Sequence, residues 1–152
     1  MPLIPQLIYI SIFDADDYFS ARLNSEAWNE ASPGNKLAAL VTATRAVDKL
    51  NYVGVKADKA QPLEFPRNGQ TAVPAEVLVA VCEEAVALLD GEDIELEIDG
   101  LGVATTTYAG VRETYDRTTV SESLRAGIAS NVAWNFLVPW LADALSINLC
   151  RV

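Results

Sequence analysis

Apolar residues recur at helical spacing over much of the chain, and the flanking polar residues mark where each helix begins. Leu7 to Ile12 alternates weakly, as a short edge strand or an extended arm would. Ser11, with Asp14 three residues on, forms a capping-box-like start, and Ile12, Ala15, Tyr18, Phe19 and Arg22 follow on one helical face to about Leu23. Ser25 caps a short turn carrying Trp28. Ser32-Pro33 is an N-cap with proline at the first helical position, and Leu37, Leu40, Val41, Thr44 and Val47 share a face that Lys36, Arg45 and Lys49 avoid.

Asn51 to Val73 cannot continue a helix. Its Gln61-Pro62-Leu63-Glu64-Phe65-Pro66-Arg67 and Asn68-Gly69 predict a stiff proline-rich surface strap that lays Leu63 and Phe65 on a neighbouring helix. Pro74 opens the next helix, with Val77, Leu78, Val81, Ala85, Leu88 and Leu89 inward and Gly91 as its stop. The period then changes to two: Ile94, Leu96 and Ile98 alternate with Glu95, Glu97 and Asp99, and Val103 to Tyr108 and Val111 to Arg117 read as strands turning at Ala109-Gly110. Ser121 to Ala129 is ambiguous. From Ser130 a last helix carries Val132, Ala133, Phe136, Leu137, Trp140, Leu141, Ala144 and Leu145 along one stripe, kinked at Pro139.

These elements predict a mainly α fold in one domain over 1–152. A small bundle of about four helices (11–91 and 130–147) carries a β-hairpin insert at about 92–120 and a C-terminal tail at 148–152. The length suits a single core, and no internal repeat is visible.

Charge narrows the function. With 21 acidic and 11 basic residues the formal net charge is -10, which opposes the cation–phosphate attraction behind most nucleic-acid binding. No Lys or Arg lies between Arg67 and Arg112, so a basic patch in the first half must come from Arg22, Lys36, Arg45, Lys49, Lys56, Lys59 and Arg67. Cys82 and Cys150 sit in apolar surroundings without CxxC spacing, which suits buried reduced thiols and a reducing origin. MPLIPQLIYISIF lacks a basic start and a cleavage site, so no signal peptide is expected. Asn131, Asn135, Pro139 and Asp143 argue against a membrane span in the apolar C-terminal region.

The absence of histidine removes the usual general base and commonest metal ligand. Gly100-Leu101-Gly102 is no phosphate loop, and the run Asp90, Glu92, Asp93, Glu95, Glu97 and Asp99 places Ile94 and Glu95 where a calcium loop needs an oxygen ligand and a glycine. The run therefore reads as the solvated face of a strand, and Asp14, Asp16 and Asp17 as first-turn acids. No enzyme activity, cofactor or metal is expected. Arg67 is weighed as a phosphate ligand against an ordinary solvated or paired charge, and the latter is favoured.

Partner contact is the remaining chemistry. Phe136 and Trp140 share the main apolar stripe and read as core, whereas Trp134 and Val138 lie off it and are interface candidates. Tyr108, Arg112, Tyr115 and Arg117 on the expected hairpin are of types enriched at interfaces, and Leu149 and Arg151 in the tail are further candidates.

Asp14-Ala15-Asp16-Asp17-Tyr18-Phe19-Ser20-Ala21-Arg22, Trp28, Lys36 to Leu40, Ala43-Thr44-Arg45, Asp48, Gln61 to Arg67, Val73 to Val77 and Ala80 to Ala85 occur in matching order. Over about residues 9 to 90 they resemble phage proteins of the DnaT-like ssDNA-binding family, which is related in helical architecture to head-to-tail connectors. Tyr52-Val53-Gly54-Val55-Lys56 stands where that family is usually more basic and carries Trp. The resemblance implies a structural virion protein, a head-to-tail adaptor in the neck, assembled in the host cytoplasm. It would form a ring of about twelve copies under the portal, contact the portal protein and a downstream connector or tail-terminator, and let genome DNA slide through an acidic channel without sequence-specific binding or membrane contact. The alternative is a single-stranded-DNA-binding, primosome-like replication module, which predicts salt-sensitive binding with bases stacked on Tyr52, Phe65 or Trp28.

Overall fold

Serine caps set the starts of three of the helices. Ser11 accepts the amide hydrogen of Asp14 at 3.1 Å, Ser32 that of Asn35 at 3.2 Å and Ser130 that of Ala133 at 3.1 Å. The computed structural model describes residues 7–100, 105–108, 110–114 and 122–142. Its helices are α1 (Ile12–Ser20), α2 (Glu26–Glu30), α3 (Pro33–Asp48), α4 (Ala75–Leu89), α5 (Ile94–Gly100), α6 (Glu122–Arg125) and α7 (Asn131–Leu137), the last followed by a 3-10 turn, Val138–Trp140. The mainly helical expectation holds. None of these helices is long and apolar enough to cross a membrane.

Helix α4 is the centre, packed on α3 along one side and α7 along the other, with α1 and α2 closing one end. It buries Val77, Ala80, Val81, Cys82, Ala85 and Val86 against Leu40, Ala43 and Val47 of α3 and Ala133, Trp134 and Leu137 of α7. Phe19 of α1 stacks on Trp28 of α2 with ring centroids 4.5 Å apart, and both are buried. Burial of each ring contributes on the order of 2–3 kcal/mol.

Helix α1 ends at Ser20, three residues before the expected Leu23, and the chain turns through Asn24, whose φ of 56° asparagine tolerates. The N-terminal segment is an arm and not a strand: the Tyr9 amide donates to Thr44 Oγ1 at 3.3 Å, and the Tyr9 hydroxyl donates to Asp48 Oδ1 at 2.5 Å. The strap is tied to the same carboxylate, since Glu64 N–H donates to Asp48 Oδ1 at 2.7 Å. Phe65 N–H donates to the Tyr9 hydroxyl at 3.2 Å. Phe65 is buried, and Leu63 partly so, as the bracketing prolines predict.

Two expected elements differ. Ile94 to Asp99 is helix, not strand. Asp93 Oδ1 accepts the amide hydrogens of Glu95 at 3.0 Å and Leu96 at 3.3 Å, a side-chain cap that satisfies two otherwise unpaired donors, and Glu and Leu are strong helix formers. Further on, β1 (Thr105–Tyr108) pairs antiparallel with β2 (Val111–Thr114), Thr105 opposite Thr114 and Tyr108 opposite Val111. Two four-residue strands do not bear out a β arm over 92–120, whose remaining parts are helical or lie outside the described residues.

The second difference is the last helix. It stops at Leu137 because Pro139 has no amide hydrogen to donate and crowds the preceding turn, so the proline ends the helix where a kink was expected. Ala133 and Leu137 of the expected stripe are buried, but the third buried residue is Trp134, while Val132 and Phe136 are exposed. The cause lies in α4. Glu84, fully buried, accepts the amide hydrogens of Ala129 at 3.0 Å and Ser130 at 2.9 Å, and this grip sets the rotation of α7.

Candidate nucleic-acid interface

Cations decide where a phosphate backbone can lie, and most of those in the first half of the chain are already engaged. Arg22 forms a fork on Glu83, Nε to Oε1 at 2.7 Å and Nη2 to Oε2 at 2.9 Å, while Tyr18 donates to Oε1 at 2.5 Å. Burial pushes the Glu83 carboxyl up, but Arg22 and Tyr18 outweigh it and hold the group below the usual carboxylate range. Lys36 pairs with Asp16 at 2.8 Å and lies over the Trp28 ring, 5.1 Å from its centroid. Asp16 is shared, since Trp28 Nε1 donates to it at 2.7 Å, and Lys36 and Trp28 together lower its pKa. Lys56 reaches Glu64 at 3.4 Å.

Arg67 is neither a phosphate ligand nor a solvated charge. It is 5 % exposed, donating to Glu64 Oε2 at 2.5 Å and to the carbonyls of Val53, Gly54 and Tyr52 at 3.2, 2.6 and 3.3 Å. The guanidinium thus fastens the loop at 52–54 to the strap and is paired as the favoured reading had it.

What remains is a short list of open cations. Arg45 and Lys49, one turn apart at the end of α3, and Lys59 in the loop that follows are exposed and make no ion pair among the described residues; Arg125 on α6 is likewise exposed. Arg45 and Lys49 also suit the negative end of the α3 dipole, which holds their positive charge there.

The aromatic residues divide differently from expectation. Trp28, Tyr52 and Phe65, the candidate base platforms, are 0, 5 and 3 % exposed and pack in the core, so no base can stack on them. Trp134, a candidate interface residue, is also core. Phe136, expected inside, is exposed, and Trp140 is half-buried in a T-shaped contact with Phe65, ring centroids 5.9 Å apart. Both line a 280 Å³ cavity with Glu76, Asn135 and Pro139.

That cavity adjoins the cation-bearing loop. Val53 N–H donates to the Trp140 carbonyl at 2.9 Å, Ala142 N–H to the Asn51 carbonyl at 3.0 Å, and Tyr52 and Leu141 form an antiparallel bridge between them. Val53 and Val55 stand exposed on the same loop. The loop is tied to the strap by Asn68 as well, whose Oδ1 accepts Val55 N–H at 3.1 Å, and at Gly54, with its positive φ, a Cβ would collide with that side chain. A larger cavity of 430 Å³ lies beyond α2, but Glu26, Glu83, Asp90 and Glu92 line it and would repel phosphate.

Of the other interface candidates, Val138 is exposed beside the aromatic cavity. Arg112 stands opposite Thr107, and Tyr108 opposite Val111, in the β1–β2 ladder. Tyr115, Arg117, Leu149 and Arg151 lie outside the described residues. Cys82 is buried, and burial, helped by the neighbouring Glu83 charge, pushes its thiol up to about 12. Among the described residues no group of three or more potential metal ligands converges. Sequence reasoning missed the two buried carboxylates, for which the signal was an adjacent acidic pair, Glu83-Glu84, inside an otherwise apolar helix. It also missed Asn135, which has no sequence signature.

A family model described as "Putative DnaT-like ssDNA binding protein" matches residues 8–151. No curated protein and no solved structure matches. The match extends the resemblance seen over about residues 9 to 90 to nearly the whole chain, and the family's description is of single-stranded-DNA binding. It overturns the neck adaptor reading: the family it points to is described by single-stranded-DNA binding, not by a virion ring of twelve copies, portal and connector partners, or a DNA channel without binding.

Proposed function

We propose that this chain, which belongs to the DnaT-like ssDNA-binding protein family over residues 8–151, binds single-stranded DNA along the loop that follows α3 and performs no reaction. The family match carries this reading. Two features of the molecule support it. Arg45, Lys49 and Lys59 are open cations within fifteen residues of one another, on a body whose net charge of -10 repels a phosphate backbone from most other faces. The adjoining cavity holds two aromatic side chains with accessible surface. A binding role without chemistry is supported by the lack of histidine and by a single described cysteine that burial keeps as a thiol.

Fluorescence anisotropy with a labelled oligonucleotide over a salt series tests it. Binding should be measurable at low salt and fall with a log–log slope of about -2, at about 0.7 per cation for a single strand. Charge reversal at Arg45, Lys49 and Lys59 should abolish it. No affinity at low salt, or affinity that salt and these reversals leave unchanged, overturns the proposal.

A further inference from the structure

We infer that the cavity formed by Phe136, Trp140, Asn135, Pro139 and Glu76 is a nucleobase pocket, which takes one base of a bound strand and favours bases that carry an exocyclic amine. The inference rests on the single-stranded-DNA reading and adds to it a site and a preference.

Three observations converge on a base. The first is the pair of aromatic side chains, four residues apart along the chain, where the helix gives way to the 3-10 turn; a π face accepts any base, whereas an aliphatic wall gives no stacking. Phe136 is exposed in a helix that had the alternative of burying it, and Trp140 is anchored against Phe65 so that its ring is held in place. The second is unused hydrogen-bonding capacity. The Asn135 carboxamide, the Trp140 indole N–H and the Glu76 carboxylate make no hydrogen bond among the described residues, and all three residues line the cavity together with the apolar Phe136 and Pro139. A carboxamide can accept from an amino group and donate to the adjacent ring nitrogen, as it does on adenine, and a carboxylate accepts a second amino hydrogen. Thymine has no exocyclic amine and meets Glu76 only with acceptors or its imide. The third is position and size. Trp140 is hydrogen-bonded through its carbonyl to Val53, on the loop between Lys49 and Lys59, so a strand whose phosphates follow those cations passes the mouth of the cavity. At 280 Å³ the cavity is small for a drug-sized ligand and sufficient for a single base.

Phe136→Ala and Asn135→Ala are informative because both side chains are exposed, so the core around Leu137 and Ala133 is left intact. Deoxyadenosine, deoxycytidine and thymidine are titrated against the full chain by saturation-transfer NMR. A labelled oligo-dA and oligo-dT are titrated by anisotropy. The expected result is saturation transfer to the amino nucleosides, weaker transfer to thymidine, and about a tenfold loss of oligo-dA affinity in Phe136→Ala, the size of one lost stack. Asn135→Ala should lose about threefold and narrow the gap between oligo-dA and oligo-dT. If oligonucleotides bind and Phe136→Ala leaves affinity unchanged, the pocket is overturned and the DNA-binding reading stands. Thymidine binding as tightly as deoxyadenosine overturns the preference. If nucleosides bind in a Phe136-dependent way but oligonucleotides do not, the DNA reading fails and the pocket remains; if neither binds, both fail.

Discussion

The buried carboxylate of Glu84 accepts the Ser130 amide hydrogen at 2.9 Å and holds the start of α7 against α4 across more than forty residues of chain. Burial raises the Glu84 pKa more than its two amide donors lower it. A carboxyl raised in the folded state binds its proton more readily there than in the unfolded chain. Its contribution is therefore fully present below the unfolded pKa and lost as pH rises through the raised folded value. Glu84→Gln should flatten the fall in urea midpoint that the wild type shows on that rise. Glu84→Ala should cost about 2–4 kcal/mol, because it orphans two buried amides and leaves a cavity.

The adjacent Glu83 should behave with the opposite sign. Held low by Arg22 and Tyr18, it contributes stability above the unfolded carboxyl pKa and loses it as pH falls through the lower folded value. Arg22→Ala leaves a buried carboxylate with no counter-charge and only the Tyr18 hydroxyl donating to it. The expected cost is about 2–3 kcal/mol, less than for a fully buried pair because the Arg22 side chain is 26 % exposed, and thermal unfolding at neutral and acid pH would measure it.

Arg67→Lys should behave as a disruptive change despite keeping the charge. An ammonium cannot reproduce a planar fork that serves Glu64 and three carbonyls, so a loss of about 2–3 kcal/mol in chemical denaturation is expected. Near-wild-type stability of the Lys variant would mean that charge alone holds the strap.

Cys82 should be inert in the native protein. With Cys150→Ser removing the second thiol, a thiol-reactive dye at pH 8 should label Cys82 only after denaturant is added, since burial and a pKa near 12 leave almost no thiolate. Rapid labelling of the native chain would show that α4 opens locally.

Local rules explain what could be read without a structure. Ser11, Ser32 and Pro33 start helices through contacts within three residues, and Gly91 stops α4 at a φ of 93°, so each of these was legible. Ile94 to Asp99 was not, because six residues of period two cannot outweigh a good cap at Asp93. The rotation of α7 was illegible for a different reason. Two adjacent apolar stripes were available, and the choice between them is made by Glu84, forty-five residues away from Ala129. In the candidate interface the residue types could be read but not their engagement. Arg67 and Lys49 look alike in a list of basic residues, yet one is enclosed by carbonyls and the other is open. Trp28, Tyr52 and Phe65 are large enough to stack a base and for that same reason fill the core.

The docking of α7 on α4 also has a temporal side. During synthesis, α4 leaves the ribosome well before Ile128, Ala133, Trp134 and Leu137, so a nascent chain carries an unmet carboxylate and one bare apolar flank until those residues emerge. Chains interrupted short of that segment would present this flank to chaperones and proteases, which makes the synthesis of residues 128–137 the step that completes this core.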